Sequence, residues 1–252
     1  MTLMIGDIHS QAGIAEKFFL KKYKGEMKVS VGDLVDDSSI PDKDVVETMR
    51  IAVSTDPRST ILLTGNHELN YFGAYAEKWK KAGDIKDRKG VPRCVGFRKS
   101  IFNDIYSIIE KNQSRFKLAY YDKDTKTLIT HAGVSRAWFG MLGESGFVKR
   151  WDYDSLISYL ENTNPFSIPE TSPIFYEGKS IAGPISCRLE CFEPILDLNQ
   201  VFGHTPTKRI RRIDCLYPEN YMIDCLKSKT QILEAKKRNG ETEFKILELY
   251  GK

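Results

Sequence analysis

Carboxylates, a carboxamide and imidazoles recur in this chain at five places where a short apolar run ends. Asp7 and His9 follow Leu3-Met4-Ile5, Asp33 and Asp36 follow Met27 to Val31, Asn66 and His67 follow Thr60 to Leu63, His131 follows Thr127 to Thr130, and His204 follows Gln200 to Gly203. Side chains two apart in a strand point the same way, so Asp7 and His9 can face one ion. Oxygen and imidazole donors mixed in this way suit Mn, Fe, Zn, Co or Ni, whereas Ca and Mg favour nearly all-oxygen shells. All four histidines of the chain fall inside these segments, and none is left for routine surface or core use. The joint pattern reads as a metal centre and not as scattered structural histidines.

The elements that must position these groups are strands whose carboxyl ends gather at one edge, the usual ligand edge of an α/β sheet. Helical periodicity between them predicts helices at about Ile14–Lys22, Asp42–Ser54 and Glu68–Ala82, as βαβ crossovers require. After Thr205 the chain turns strand-rich, and Gln231–Arg238, Asn239-Gly240 and Glu241–Leu249 read as a hairpin on a type I′ turn that closes a mixed sheet. The expectation is a single domain over 1–252 of class α/β, a β-sandwich of mixed sheets flanked by helices, with small helical insertions at about 83–115 and 151–190. The first insertion combines a basic, Gly-containing segment (Gly83 to Lys99) with an apolar-periodic helix. The second carries Trp151, Tyr153, Tyr159, Phe166, Phe175 and Tyr176, aromatics that can wall a pocket or fill a core.

In order and spacing, Gly6-Asp7-Ile8-His9, Gly32-Asp33-Leu34-Val35-Asp36, Gly65-Asn66-His67-Glu68, His131-Ala132-Gly133 and Gly203-His204-Thr205 resemble the motifs of the calcineurin-like metallophosphoesterases. Within that family they look most like the phosphoprotein-phosphatase branch of bacterial and phage type, with Glu68 favouring it. The resemblance spans about residues 2–225. It implies that Asp7, His9 and Asp33 hold one divalent ion, that Asp33, Asn66, His131 and His204 hold the other, and that manganese is the first choice of metal, with Fe, Zn, Ni and Co as alternatives. Two ions about 3.5–4 Å apart activate a shared water, so the nucleophile is metal-bound hydroxide. His67 is then the general acid, oriented by Asp36, and Arg188 and Asn66 contact the substrate phosphate.

The chain departs from the family pattern where arginines usually grip that phosphate with paired hydrogen bonds. Asp37 and Thr64 stand at those positions, and Ser10 stands where the family carries Gly. The activity implied is phosphoester hydrolysis, first as a protein serine/threonine phosphatase. The alternatives are a diadenosine-tetraphosphate or nucleotide pyrophosphohydrolase, a phosphodiesterase, and, from another class, a silent metal-stabilised binding protein. Partners are a phosphorylated protein or a phosphorylated small molecule or nucleotide. Lys208, Arg209, Arg211 and Arg212 offer a basic cluster to such a substrate or form one solvated strand face.

Composition agrees. The chain has 252 residues, 41% of them hydrophobic, enough for a sizeable core, and a net charge of +4 with no polybasic tail to demand a nucleic-acid partner. No stretch approaches 18 apolar residues and the ligand-bearing strand begins at once, so no membrane span or signal peptide is expected. Five cysteines, Cys94, Cys187, Cys191, Cys215 and Cys225, are irregularly spaced and read as reduced thiols of a cytoplasmic protein.

Overall fold

In chain order the strands are β1 (Thr2–Ile5), β2 (Met27–Ser30), β3 (Thr60–Leu63), β4 (Phe116–Lys117), β5 (Ala119–Asp122), β6 (Thr127–Thr130), β7 (Asn199–Phe202), β8 (Arg211–Ile213), β9 (Asn220–Met222), β10 (Gln231–Arg238) and β11 (Glu241–Glu248). The structure is a computed structural model that describes residues 1–37, 39–73, 76, 96–148, 152–167, 183–213 and 218–250. Its strands form two mixed sheets, one ordered β11-β10-β1-β2-β3-β4 and the other β5-β6-β7-β9-β8, flanked by helices.

Strand alternation explains why the central runs are apolar without a polar face. In β1, Leu3 and Ile5 face the helix-covered core while Met4 faces a second core between the sheets. The same division sends Leu62 to the first and Leu63 to the second, and Leu128 to the first and Ile129 to the second. Val29, Val31 and Leu63 of one sheet thus meet Ile129, Val201 and Tyr221 of the other.

Helix α1 (Ala12–Ala15) continues as a π-helical turn over Glu16–Lys21, burying Ile14, Phe18 and Phe19. Helix α2 (Asp42–Val53) follows its predicted bounds to within a residue and buries Val45, Val46, Met49 and Ala52 at helical spacing, with Asp42 and Asp44 in its first turn and Arg50 in its last. The helix expected at Glu68–Ala82 is different. Helix α3 spans only Asn66–Leu69, and Gly73 adopts φ +105° with Phe166 O 3.3 Å from where a Cβ would stand, so the chain turns there. Residues 74–75 and 77–82 of that expectation lie outside the described residues, and Ala76 between them is helical.

The stretches expected as insertions contain helix α4 (Phe102–Lys111), with Phe102, Ile105, Tyr106 and Ile109 on one buried face, and helix α6 (Tyr153–Asn162), capped by Asp152, which accepts from Ser155 N at 2.7 Å. Between them runs α5 (Arg136–Glu144). Leu156, Leu160 and Phe166 join the main helix-side core, Phe166 packing on Phe72 and Phe116 at ring-centroid distances of 5.2 and 5.5 Å. Tyr153 and Tyr159 pack against the same core, whereas Trp151, Phe175 and Tyr176 lie outside the described residues. The hairpin β10–β11 turns on Asn239 (φ +51°) and Gly240 (φ +88°), the two left-handed residues a type I′ turn needs, and β10 pairs antiparallel with β1. Arg211 and Arg212 lie on the exposed edge strand β8, where Arg212 pairs with Glu219 at 3.2 Å. Among the described residues no helix is long and apolar enough to cross a membrane.

Candidate metal centre

Register brings the five segments to one place. Ile5 lies opposite Ser30, and Ser30 opposite Leu62, along parallel β1-β2-β3, so Asp7, Asp33 and Asn66 emerge side by side. In the second sheet Ile129, Val201 and Tyr221 align along parallel β6-β7-β9, which brings out His131, His204 and Asp224 together. The two strand-end edges meet face to face. His204 N donates to Asp7 Oδ2 at 2.9 Å, and the His131 Nδ1 position pairs with Val31 O at 2.9 Å. A Cβ on Gly65 would stand 2.1 Å from Asp33 Oδ1, and one on Gly203 would stand 1.9 Å from Asp7 Oδ1, so close approach explains these two glycines.

The turns that follow the strands are sharp. His9, Ser10, Asp33, Asp36 and His204 all have φ between +45° and +65°, a clustering of left-handed non-glycine residues typical of functional sites. Ser10 (φ +65°) therefore adopts the conformation that glycine, the family residue at this position, takes at little cost.

His131 Nε2 lies 2.9 Å from Asn66 Oδ1, 3.1 Å from His204 Nδ1 and 3.5 Å from Asp33 Oδ2. Donors bound to one ion at about 2.1 Å stand roughly 3.0–3.4 Å apart, so this set fits a divalent cation. Asp7, His9 and Asp224 offer donors within 4.8 Å of one another, and Asp33 lies within the same limit of His9 and His67. Asp7 Oδ1 and Asp224 Oδ2 are buried without a hydrogen-bond partner. Orphaned donors of this kind are what an ion site leaves when only its ligands are counted.

The four histidines divide by electrostatics. Burial pushes His9 and His131 down, and burial together with the His131 charge pushes His204 well down, which favours the neutral, ligating form. Burial also works against His67, but the Asp33 charge and the hydrogen bond and charge of Asp36 outweigh it and hold this imidazole up at about 9. His67 thus differs in electrostatics from the other three histidines, although it too lies within ligand distance of His9 and Asp33. Its Nδ1 meets Asp36 Oδ2 at 3.1 Å, and its Nε2 faces Asp33 Oδ2 at 3.7 Å. Burial tends to raise Asp33, yet the charges of His131, His67, His9 and His204 keep it well below the usual carboxylate range.

Supporting contacts fix these groups. Buried Glu68 accepts from Asp33 N at 2.9 Å, Leu34 N at 2.8 Å and Gly65 N at 2.8 Å, joining the two loops that carry Asp33 and Asn66. Asp36 is 1% exposed, and its second oxygen accepts from Tyr71 OH, which itself accepts from Arg98 N at 3.1 Å. The Arg98 guanidinium reaches Asp42 and the Asp37 carbonyl. Asp37, not Asp36, makes the local turn, accepting from Ser39 N and Ser39 Oγ and pairing with Lys227. Thr64 is fully buried. Arg188 donates from one guanidinium nitrogen to His204 O at 3.0 Å, with the rest of its exposed side chain at the rim.

Every residue expected from sequence is thus drawn to one cluster or its rim. Asp224, Tyr71, Arg98 and Lys227 were not expected. Asp224 follows Asn220-Tyr221-Met222-Ile223, the same apolar-run-then-ligand pattern used five times upstream, and that signal could have found it. Tyr71, Arg98 and Lys227 carry no local signal.

Residues 2–208 match the family model of the calcineurin-like phosphoesterases. Among solved structures, the cold-active protein-tyrosine phosphatase of the psychrophile Shewanella sp. is similar over 98% of this chain and 80% of its own length, at 16% identity and a TM-score of 0.59. A protein serine/threonine phosphatase from Saccharomyces cerevisiae is similar over 98% of this chain and 79% of its own, at 13% identity and a TM-score of 0.53. No curated protein matches the chain. At these identities the structural likeness is one of fold.

Proposed function

This chain belongs to the calcineurin-like phosphoesterases and is a metal-dependent phosphoesterase; from that premise we propose that it is a protein serine/threonine phosphatase using two divalent ions, manganese first among them. Asp7, His9 and Asp33 would hold one ion and Asp33, Asn66, His131 and His204 the other. Bound there, the ions polarise the phosphoryl oxygens and supply a water acidic enough to attack at neutral pH. Arg188 and the Asn66 carboxamide contact the phosphate. Its irregularly spaced cysteines suit the cytoplasm.

The observation that carries the choice of substrate is His67. A serine or threonine alkoxide is a much stronger base than a phosphate leaving group, whose second pKa is about 6, and it needs a proton as it departs. His67 is held charged by Asp33 and Asp36, with Nε2 turned toward the cluster. A dinucleotide pyrophosphohydrolase makes less use of such an acid. Asp37 and Thr64 at the family's arginine positions favour that second reading, because they loosen the grip on a dianionic monoester.

The test is turnover of the manganese-loaded protein on a phosphothreonine peptide, a phosphotyrosine peptide, p-nitrophenyl phosphate and diadenosine tetraphosphate, with and without His67→Asn. The phosphothreonine peptide is expected to be preferred and to lose about 10²–10⁴-fold in kcat in the variant, and the better leaving groups to lose less. Preference for the dinucleotide, or an equal loss on all four, would overturn the assignment.

A further inference from the structure

We infer that Asp224 is a seventh metal-ligating side chain, completing the ion site that Asp7, His9 and Asp33 begin. The inference rests on the proposed ligand assignment and extends it to a residue beyond the segment 2–208 that matches the family model.

Asp224 sits at the end of β9, the strand parallel to and next to β7, whose end delivers His204. Two anchors fix its backbone there. Its carbonyl accepts from Thr207 N at 2.7 Å and from Thr207 Oγ1 at 3.0 Å, and the preceding Ile223 N donates to Phe202 O at 2.9 Å. The backbone just before Asp7 presses on the same strand end: a Cβ on Gly6 would stand 2.1 Å from Ile223 O and 3.1 Å from Asp224 Cα. The two aspartates are therefore neighbours across the two sheets.

Both carboxylates are buried, Asp7 at 1% and Asp224 at 4% exposure, and each keeps an oxygen without a hydrogen-bond partner, Asp7 Oδ1 and Asp224 Oδ2. Their donors and that of His9 lie within 4.8 Å of one another. Two buried anions side by side repel each other and are costly unless a cation compensates them. The nearby basic side chains make their contacts elsewhere, Lys227 with Asp37 and Arg188 with His204 O, and act on Asp224 only at longer range. A divalent ion among Asp7, His9 and Asp224 supplies the missing charge.

The assignment also balances the centre. Each ion then has four protein donors, three carboxylates and one imidazole on one side, one shared carboxylate, one carboxamide and two imidazoles on the other. The first set is the harder and favours Mn²⁺ over Zn²⁺ more than the second does.

The experiment is Mn²⁺ titration of metal-stripped wild type, Asp224→Asn and, as reference, Asp7→Asn, read by bound metal per chain, by electron paramagnetic resonance and by thermal unfolding with and without metal. Wild type should bind two ions with a spin-coupled signal. Asp224→Asn should weaken one ion by at least about tenfold, the scale already lost when a residue that only orients a ligand is removed, and show the signal of an isolated Mn²⁺. Its metal-free form should be no less stable than wild type, because one of two repelling carboxylates is gone, while its gain in Tm on adding Mn²⁺ shrinks. Two ions bound at wild-type affinity by Asp224→Asn, or a metal-free form that is destabilised with an undiminished metal gain, would overturn the inference and leave Asp224 structural. If Asp7→Asn also binds as wild type does, the underlying ligand assignment fails as well.

Discussion

Lys227 Nζ lies 3.0 Å from Asp37 Oδ2, so the position where related phosphatases carry an arginine holds an anion met by a lysine from far along the chain. Burial alone would raise the Asp37 carboxyl, but hydrogen bonds from Ser39 N and Oγ and the contact with Lys227 hold it down at about 2. The carboxylate is therefore charged at every practical assay pH, and its contribution to stability, present above its ordinary pKa of 3.8, is lost only as pH falls toward about 2. The Lys227 charge is felt inside the centre: it adds to the burial that lowers His9 and works against the burial and the Asp33 charge that raise Asp224. Asp37→Asn should leave that charge free for an incoming phosphate. Inorganic phosphate is expected to inhibit the variant up to about fivefold more strongly, the range of an exposed ion pair, and Lys227→Met less strongly than wild type. The check is the competitive inhibition constant at low and high salt, and identical values in all three proteins would reduce the pair to a surface contact.

The pH profile should carry the signature of His67. A general acid works in its protonated form, so kcat on a phosphothreonine peptide should fall as pH rises through the pKa of His67, held up at about 9 by Asp33 and Asp36 against burial. Ions bound to Asp33 withdraw part of that support, which places the limb of the loaded enzyme at or below about 9. Asp36→Asn removes the partner on Nδ1 and should move the limb further down. His67→Asn should erase it. A basic limb that survives in His67→Asn would assign the titration to another group.

Glu68 is expected to matter for stability more than for chemistry. Its carboxylate accepts from Asp33 N, Leu34 N and Gly65 N, all buried, so Glu68→Ala strands three donors at once. Leaving a buried donor unsatisfied costs about 1–3 kcal/mol, and the three together should cost about 3–5 kcal/mol because the loops relax in part. Glu68→Asp keeps the charge but shortens the reach and should recover only part of the loss. Denaturant unfolding of the metal-free proteins measures both, and a Glu68→Ala variant within about 0.5 kcal/mol of wild type would contradict the clamp.

The sequence made the strand ends legible because each ligand follows an uninterrupted apolar run, and a run buried on both faces needs no tertiary information to be seen. The β10–β11 hairpin was equally legible from Asn239-Gly240. Asp224 obeys the same pattern less visibly, because its run, Asn220 to Ile223, opens on a polar residue and the family match ends at residue 208. The helix expected beyond Glu68 is interrupted at residues 70–73 for a tertiary reason. Gly73 turns the chain against Phe166, a residue of the distant second insertion. Tyr71 and Arg98 were not legible at all, since their roles exist only once residues 27 apart are brought together behind Asp36. The aromatics of the second insertion looked like pocket walls or core, and for Phe166 packing on Phe72 and Phe116 decides for core.

Two glycine substitutions should separate the two ion sites. A Cβ at position 203 would stand 1.9 Å from Asp7 Oδ1 and 2.8 Å from Val31 Cγ2, so Gly203→Ala must displace Asp7, a ligand assigned to one ion only. A Cβ at position 65 would stand 2.1 Å from Asp33 Oδ1, and the neighbouring backbone is held by Glu68, so Gly65→Ala must displace the carboxylate assigned to both ions. At contacts this short something must shift: at position 203 only side-chain atoms are met, so Asp7 gives way, whereas at position 65 the Asp33 backbone N at 2.6 Å is met as well. Gly203→Ala is therefore expected to retain about one Mn²⁺ per chain and Gly65→Ala close to none, with turnover lost in both. Gly13→Ala, in open space, is the control and should bind as wild type does. Metal content after dialysis reads the outcome directly. Equal losses in Gly203→Ala and Gly65→Ala would mean that Asp33 does not bridge two ions, and full occupancy in Gly203→Ala would remove Asp7 from the ligand set.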